Sequence, residues 1–177
     1  RAAIAQKLRV ENKMSASASN VLVTTGAQEA IFIALNSFAN PGDEILIPEP
    51  RYTSYDLAAE IAGGTIVNVP RNPERGFVLE IEEVEKRITN KSKILCIVNP
   101  DNPTGAIIPP ETIEKLADIA KKYNLLVISD EMYEKVVYDD TGIVSIASLP
   151  GMFNRTITIN GFSKVYRMTG WRIGYLA

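Results

Sequence analysis

The sequence has 177 residues, 46% of them hydrophobic, a mean hydropathy of +0.01 and a formal net charge of −2. That length suits one domain with a substantial core, burying on the order of two thirds of its unfolded surface. Nucleic-acid binding has no basic stripe to support it, no apolar run reaches the ~20 residues that cross a bilayer, and the absence of histidine excludes Ser-His-Asp and Cys-His catalysis and His-ligated metals.

Ile4, Ala5 and Leu8 recur among charged residues in a first helix over residues 1–13, followed by the polar linker Ser15–Asn20. Val21–Thr24 reads as a strand, and Ala27, Ile31, Leu35 and Phe38 then recur at helical spacing until Asn40-Pro41-Gly42. Thr25 and Gln28 fit a capping box. The same helix start, with Gly26 permitting close backbone approach before Ala27 and Gln28, would also seat a phosphate.

Glu44–Pro48 is a second strand, and Pro50-Arg51-Tyr52-Thr-Ser-Tyr55 follows it. Tyr52 is a candidate for stacking on a planar ring, or for plain packing in a strand-to-helix turn. A helix through Leu57–Ala62 leads by Gly63-Gly64 to a third strand, Thr65–Val69; Ile81, Val84 and Ile88 then suggest a short charged helix. The fourth strand, Lys93–Val98, is apolar throughout its middle, as expected where both faces are covered. Its single cysteine, Cys96, reads as a small core residue; no disulfide forms within the chain, which fits a reducing cytoplasm.

Asn99-Pro-Asp-Asn102-Pro-Thr-Gly105 is either an ordinary turn or a rigid loop presenting the Asn102 amide. The following helix places Ile113, Leu116, Ala117, Ala120 and Tyr123 on one face, with Glu111–Lys115 and Asp118–Lys122 pairs on the other. A fifth strand, Leu125–Ser129, ends at Asp130-Glu-Met-Tyr133. A carboxylate there demands a cationic partner or serves as an N-cap. The sixth strand is Thr156–Ile159 and the seventh begins at Trp171.

Alternating strands and helices predict an α/β domain with a mostly parallel seven-stranded sheet flanked by helices. Ligands of such sheets bind beyond the carboxyl ends of the strands. Gly26-Ala27-Gln28, Tyr52, Asn102, Asp130 with Tyr133, and Ser163-Lys164 all fall at that edge. No GxGxxG follows the first strand, no Walker A lysine is present, and Ser163-Lys164 lacks SxxK spacing. Lys164, directly after a buried strand, reads as an amine in a partly dry pocket, able to form a Schiff base with an aldehyde. Arg172 beyond Gly170 suits a phosphate on the same ligand. Aldehyde plus phosphate describes pyridoxal 5′-phosphate. Taken alone, the stretch also fits a strand end with a surface lysine and a salt-bridged arginine.

Asn102-Pro-Thr-Gly105, Ser129-Asp-Glu-Met-Tyr133 and Gly161-Phe-Ser-Lys164 through Met168-Thr-Gly-Trp-Arg172-Ile-Gly174 resemble the signature of class I/II aminotransferases. These are fold-type I pyridoxal-phosphate enzymes, and the likeness, which runs along nearly the whole chain, is to the aspartate/aromatic branch. It implies that Lys164 holds the cofactor and shuttles a proton at the substrate Cα. Asp130 would pair with the pyridinium nitrogen, Asn102 and Tyr133 with the ring's phenolic oxygen, and Tyr52 would stack on the ring. The amides of Ala27 and Gln28, with Arg172, would hold the phosphate. One departure stands out: many relatives carry a phosphate-binding serine where this chain has Gly161, leaving Ser163 as the neighbouring hydroxyl.

The resemblance further implies that residues 1–177 are the cofactor-binding large domain. The family's N-terminal arm, its small domain and the arginine that binds the substrate carboxylate would lie outside. Amino-acid and 2-oxo-acid substrates and a homodimer are the expected partners, in the cytoplasm, with no nucleic acid and no membrane. A lyase or decarboxylase of the same fold, or a non-catalytic cofactor-binding module, are the alternatives.

Overall fold

A computed structural model describes residues 1–138 and 142–177. Seven strands of these residues form one sheet: β1 (Leu22–Thr24), β2 (Glu44–Glu49), β3 (Thr65–Pro70), β4 (Ser92–Val98), β5 (Leu126–Asp130), β6 (Thr156–Gly161) and β7 (Gly174–Leu176). Their spatial order is β1-β7-β6-β5-β4-β2-β3, with β3, β2, β4, β5 and β6 parallel and β7 antiparallel to both its neighbours. The expected architecture is the one found.

Among the described residues five α-helices cover the sheet: α1 (Ala2–Val10), α2 (Ala27–Phe38), α3 (Ser54–Ile61), α4 (Ile81–Glu85) and α5 (Pro110–Lys122). Side chains alternate across a strand, so each central strand feeds two cores. Ile45, Ile47, Ile94, Cys96 and Val98 pack against Ala30, Ile31, Ala34 and Leu35 of α2 and Ala58 and Ala59 of α3. Leu46, Leu95, Ile97 and Val127 face the other way, onto Val84 of α4 and Ile113, Leu116, Ala117 and Ala120 of α5. Double coverage explains why β4 is apolar on both faces. Burial also pushes the Cys96 thiol well above its ordinary pKa, which keeps it an inert core residue.

Several local expectations are corrected. The Thr25–Gln28 capping box does not form, because α2 starts one residue later: Gly26 is the N-cap, and the Thr25 amide donates to the Glu29 carboxylate. On α5, Asp118 pairs with Lys121 at 2.8 Å, not with Lys122, which reaches across to Glu85 of neighbouring α4 at 3.0 Å. Among the described residues Glu111–Lys115 makes no ion pair; exposed pairs of this kind gain little in water. Tyr123 caps the helix at 37% exposure, and Ile119 takes its place in the core. Trp171 lies in a 3₁₀ turn, 72% exposed, and β7 begins only at Gly174.

Among the described residues no helix is long and apolar enough to cross a membrane, and no three His, Cys, Asp or Glu gather as a metal site.

Candidate active site

One cavity of about 240 Å³ opens at the carboxyl edge of the parallel strands. Ala27, Gln28, Tyr52, Asn102, Asp130, Tyr133, Ser163, Lys164 and Arg172 all line it. Gly26 stands just behind, and the sequence reading missed Ile31, Val98, Met132 and Thr169, which complete the wall. These residues come from five separate segments, brought together because each follows a strand or opens the helix after one.

Asp130, the last residue of β5, sits 6% exposed at the cavity floor. Its Oδ1 accepts the Met132 amide at 3.0 Å and its Oδ2 accepts the Tyr55 hydroxyl at 3.3 Å. The carboxylate thus caps the following turn, and among the described ion pairs the expected cationic partner is not found. Desolvation pushes its pKa up to about 6, with the Met132 and Tyr55 bonds opposing the rise. Tyr55, wholly buried on α3, was not singled out from the sequence; a second aromatic just after Tyr52 gave no sign that it reaches a residue of β5.

The next residue, Glu131, is 1% exposed and takes hydrogen bonds from Ser145 at 2.7 Å, Ser129 at 3.1 Å and Asn12 at 3.1 Å. Burial raises its pKa to about 7. Glu134 accepts from Asn12 at 2.6 Å and pairs with Lys7. α1 and the residues following it are thus pinned to the turn that carries Tyr133.

Lys164 departs from expectation: it is exposed, on the turn after β6, with its Nζ 5.8 Å from the Tyr133 ring centroid. The turn carries it past the carboxyl end of β6, and among the described residues nothing buries it. Arg172 is likewise exposed and adopts a left-handed backbone, φ 52° and ψ 53°, an unusual conformation for a side-chain-bearing residue. Its Nη1 donates to the Thr169 carbonyl at 2.9 Å, and among the described residues it makes no salt bridge. Instead it lies over the start of α2: a Cβ on Gly26 would stand 2.4 Å from its Nη2.

Gly26 has φ 79° and ψ 170°, a region reserved almost entirely for glycine. Gly174 presses directly onto that backbone, since a Cβ there would fall 2.6 Å from the Ala27 nitrogen. The contact brings the guanidinium to a helix N-terminus whose first amides have no intrahelical acceptor. Such a cradle fits an anion.

Gly161 pairs with Gly174 across β6 and β7. A Cβ at Gly161 would stand 2.8 Å from Met132 Cε and 3.0 Å from the Ile173 carbonyl oxygen, so the strand packing leaves no room for a serine. Ser163, 7% exposed on the cavity wall, is the nearby hydroxyl.

The arrangement offers an amine, a buried carboxylate without a cation, and an anion cradle around one cavity. These are the groups needed for an aldehyde, a protonated ring nitrogen and a phosphate.

The family model "Aminotransferase class I and II" matches residues 1–177. An aspartate aminotransferase of Pyrococcus abyssi is 47% identical over all of this chain and 46% of its own length. Aromatic-amino-acid aminotransferase 2 of Thermococcus litoralis is 44% identical over all of this chain and 46% of its own length. The crystal structure of an aromatic aminotransferase from Pyrococcus horikoshii superposes with a TM-score of 0.96 at 46% identity, over 99% of this chain and 47% of that one. The chain therefore spans about half the length of the relatives it matches. Matched along its full length by the family model and by relatives of this similarity, it belongs to the class I and II aminotransferases.

Proposed function

We propose that residues 1–177 are the cofactor-binding domain of a pyridoxal-phosphate-dependent aminotransferase. The reaction moves an amino group between an L-amino acid of aspartate or aromatic type and a 2-oxo acid, in a protein that works as a homodimer. The observation that carries the reading is that Lys164, Asp130 and Arg172 border one cavity. The names of the relatives support the substrate type.

Pyridoxal phosphate, when bound, supplies an aldehyde that condenses with amines and a ring that accepts the electrons released at a substrate Cα. Everything else falls to the chain. Lys164 provides the amine that anchors the cofactor and, once a substrate amine displaces it, the base that removes the Cα proton and returns it. Its exposed Nζ leaves room for that exchange. Asp130 holds a proton on the ring nitrogen. Its desolvated carboxylate has much to gain from a cation placed against it. Asn102 and Tyr133 offer hydrogen bonds to the ring's phenolic oxygen, and Tyr52 stacks on the ring. The amides of Ala27 and Gln28, with Ser163 and Arg172, hold the phosphate, which Gly26 allows close to the helix.

The test is to add an L-amino acid to the cofactor-loaded full-length protein. Transfer converts the bound cofactor to its amine form with neither CO₂ nor a side chain released. Release of CO₂ identifies a decarboxylase, and an unchanged absorption spectrum identifies a binding module.

A further inference from the structure

Tyr52 and Asn102 reach the cavity from two different loops, one after β2 and one after β4. Arg71, immediately after β3, touches both. Its Nη2 donates to the carbonyl of Pro50, in the loop of Tyr52, and to Oδ2 of Asp101 at 2.9 Å, beside Asn102. That same carboxylate oxygen takes the amide of Thr104 at 3.1 Å and its hydroxyl at 2.6 Å, which folds the second loop around Asp101. Arg71 is itself footed on the sheet, because its amide donates to the Glu49 carbonyl at 3.1 Å.

This ion pair is fully internal: the two side chains are 3% and 4% exposed. The Arg71 Nε is buried with no hydrogen-bond partner among the described residues. Desolvating both charges and leaving one donor unpaired is expensive, and apolar side chains of similar volume often stabilise an interior as well or better. Stability alone does not account for the pair. Its geometry does: one guanidinium nitrogen bonds to two loops that each carry one wall of the cavity.

We infer that Arg71 and Asp101 are positioning residues, a buried brace that fixes the Tyr52 loop against the Asn102 loop and so sets the width of the slot for a planar ring. The inference rests on the proposed function for the identity of the ring, but not for the brace itself.

The experiment uses the full-length protein with Arg71→Met, Asp101→Asn and the double substitution. The double variant leaves no lone charge inside, so it folds even where a single variant fails to. Two quantities are read: amide hydrogen exchange of residues 49–55 and 99–106 without cofactor, and the dissociation constant for pyridoxal phosphate. The brace predicts that each folded variant exchanges faster in both loops, with β4, β5 and β6 unchanged. It also predicts about tenfold weaker binding, and a double variant no worse than the worse single one. Faster exchange confined to the substituted residue's own loop overturns it. So do single losses that multiply in the double variant, and so does a double variant with wild-type exchange and affinity. The exchange readout is independent of the cofactor. If wild-type protein fails to load at Lys164 while the variants still loosen both loops, the proposed function falls and the brace stands.

Discussion

The Tyr55 hydroxyl donates to Asp130 Oδ2 at 3.3 Å, from a helix on one side of the sheet to the end of a strand in its middle. This distance is long for an O–H···O bond, so its effect depends on the charge of its acceptor. Tyr55→Phe is expected to cost on the order of 1–3 kcal/mol at pH 8, where Asp130 is ionised, and distinctly less at pH 5. Denaturant unfolding of the cofactor-free protein at both pH values checks this. An equal cost at both would mean that the hydroxyl contributes through packing alone.

Asp130 also makes stability depend on pH. Its pKa rises from an ordinary 3.8 to about 6 in the fold because burial disfavours the charged form. Between those values the native state binds more protons than the unfolded chain, so stability falls as pH rises through that window. The full difference is on the order of 3 kcal/mol at pH 7. Glu131, raised from 4.5 to about 7, extends the same trend upward. Asp130→Asn is expected to raise the melting temperature of the cofactor-free protein above pH 6 and to leave it nearly unchanged at pH 4. With pyridoxal phosphate present the ranking reverses, because the ring nitrogen loses its carboxylate.

Gly26→Ala tests the anion cradle. Its backbone conformation costs a side-chain-bearing residue roughly 1–3 kcal/mol, and the new methyl would displace Arg172, whose Nη2 lies 2.4 Å from the Cβ position. Binding of inorganic phosphate or pyridoxal phosphate, measured calorimetrically, is expected to weaken at least tenfold. Unaltered affinity would place the phosphate elsewhere.

Gly161→Ser would supply the hydroxyl that the family resemblance leads one to expect at this position, yet it is expected to impair this chain. The Ile173 carbonyl oxygen, 3.0 Å from the Cβ position, belongs to backbone and cannot swing away. Overpacking of this kind costs about 1–3 kcal/mol. A lower melting temperature with no gain in phosphate affinity is the expected result, read by thermal unfolding and titration.

The sheet was legible because its strands are short apolar runs between turn residues, and β4 most of all, since Ile94–Val98 is buried on both faces. The cavity was legible for a topological reason: every candidate follows a strand that runs the same way. Contacts between distant segments were not. Arg71 and Asp101 carry no local pattern, and nothing in Tyr55 announces its reach to Asp130. The capping box failed by one residue, because Gly26 takes the N-cap position and puts Glu29, not Gln28, at the third helical position. Lys164 was expected in a drier place than it occupies, since a buried strand says nothing about the turn that follows.

The account turns on Lys164 and Asp130 serving opposite ends of one ring. The direct measurement is to load the full-length protein with pyridoxal phosphate, reduce with borohydride and map the modified peptide. The account predicts a single label on Lys164, lost in Lys164→Ala. A label on any other lysine of this chain would contradict it.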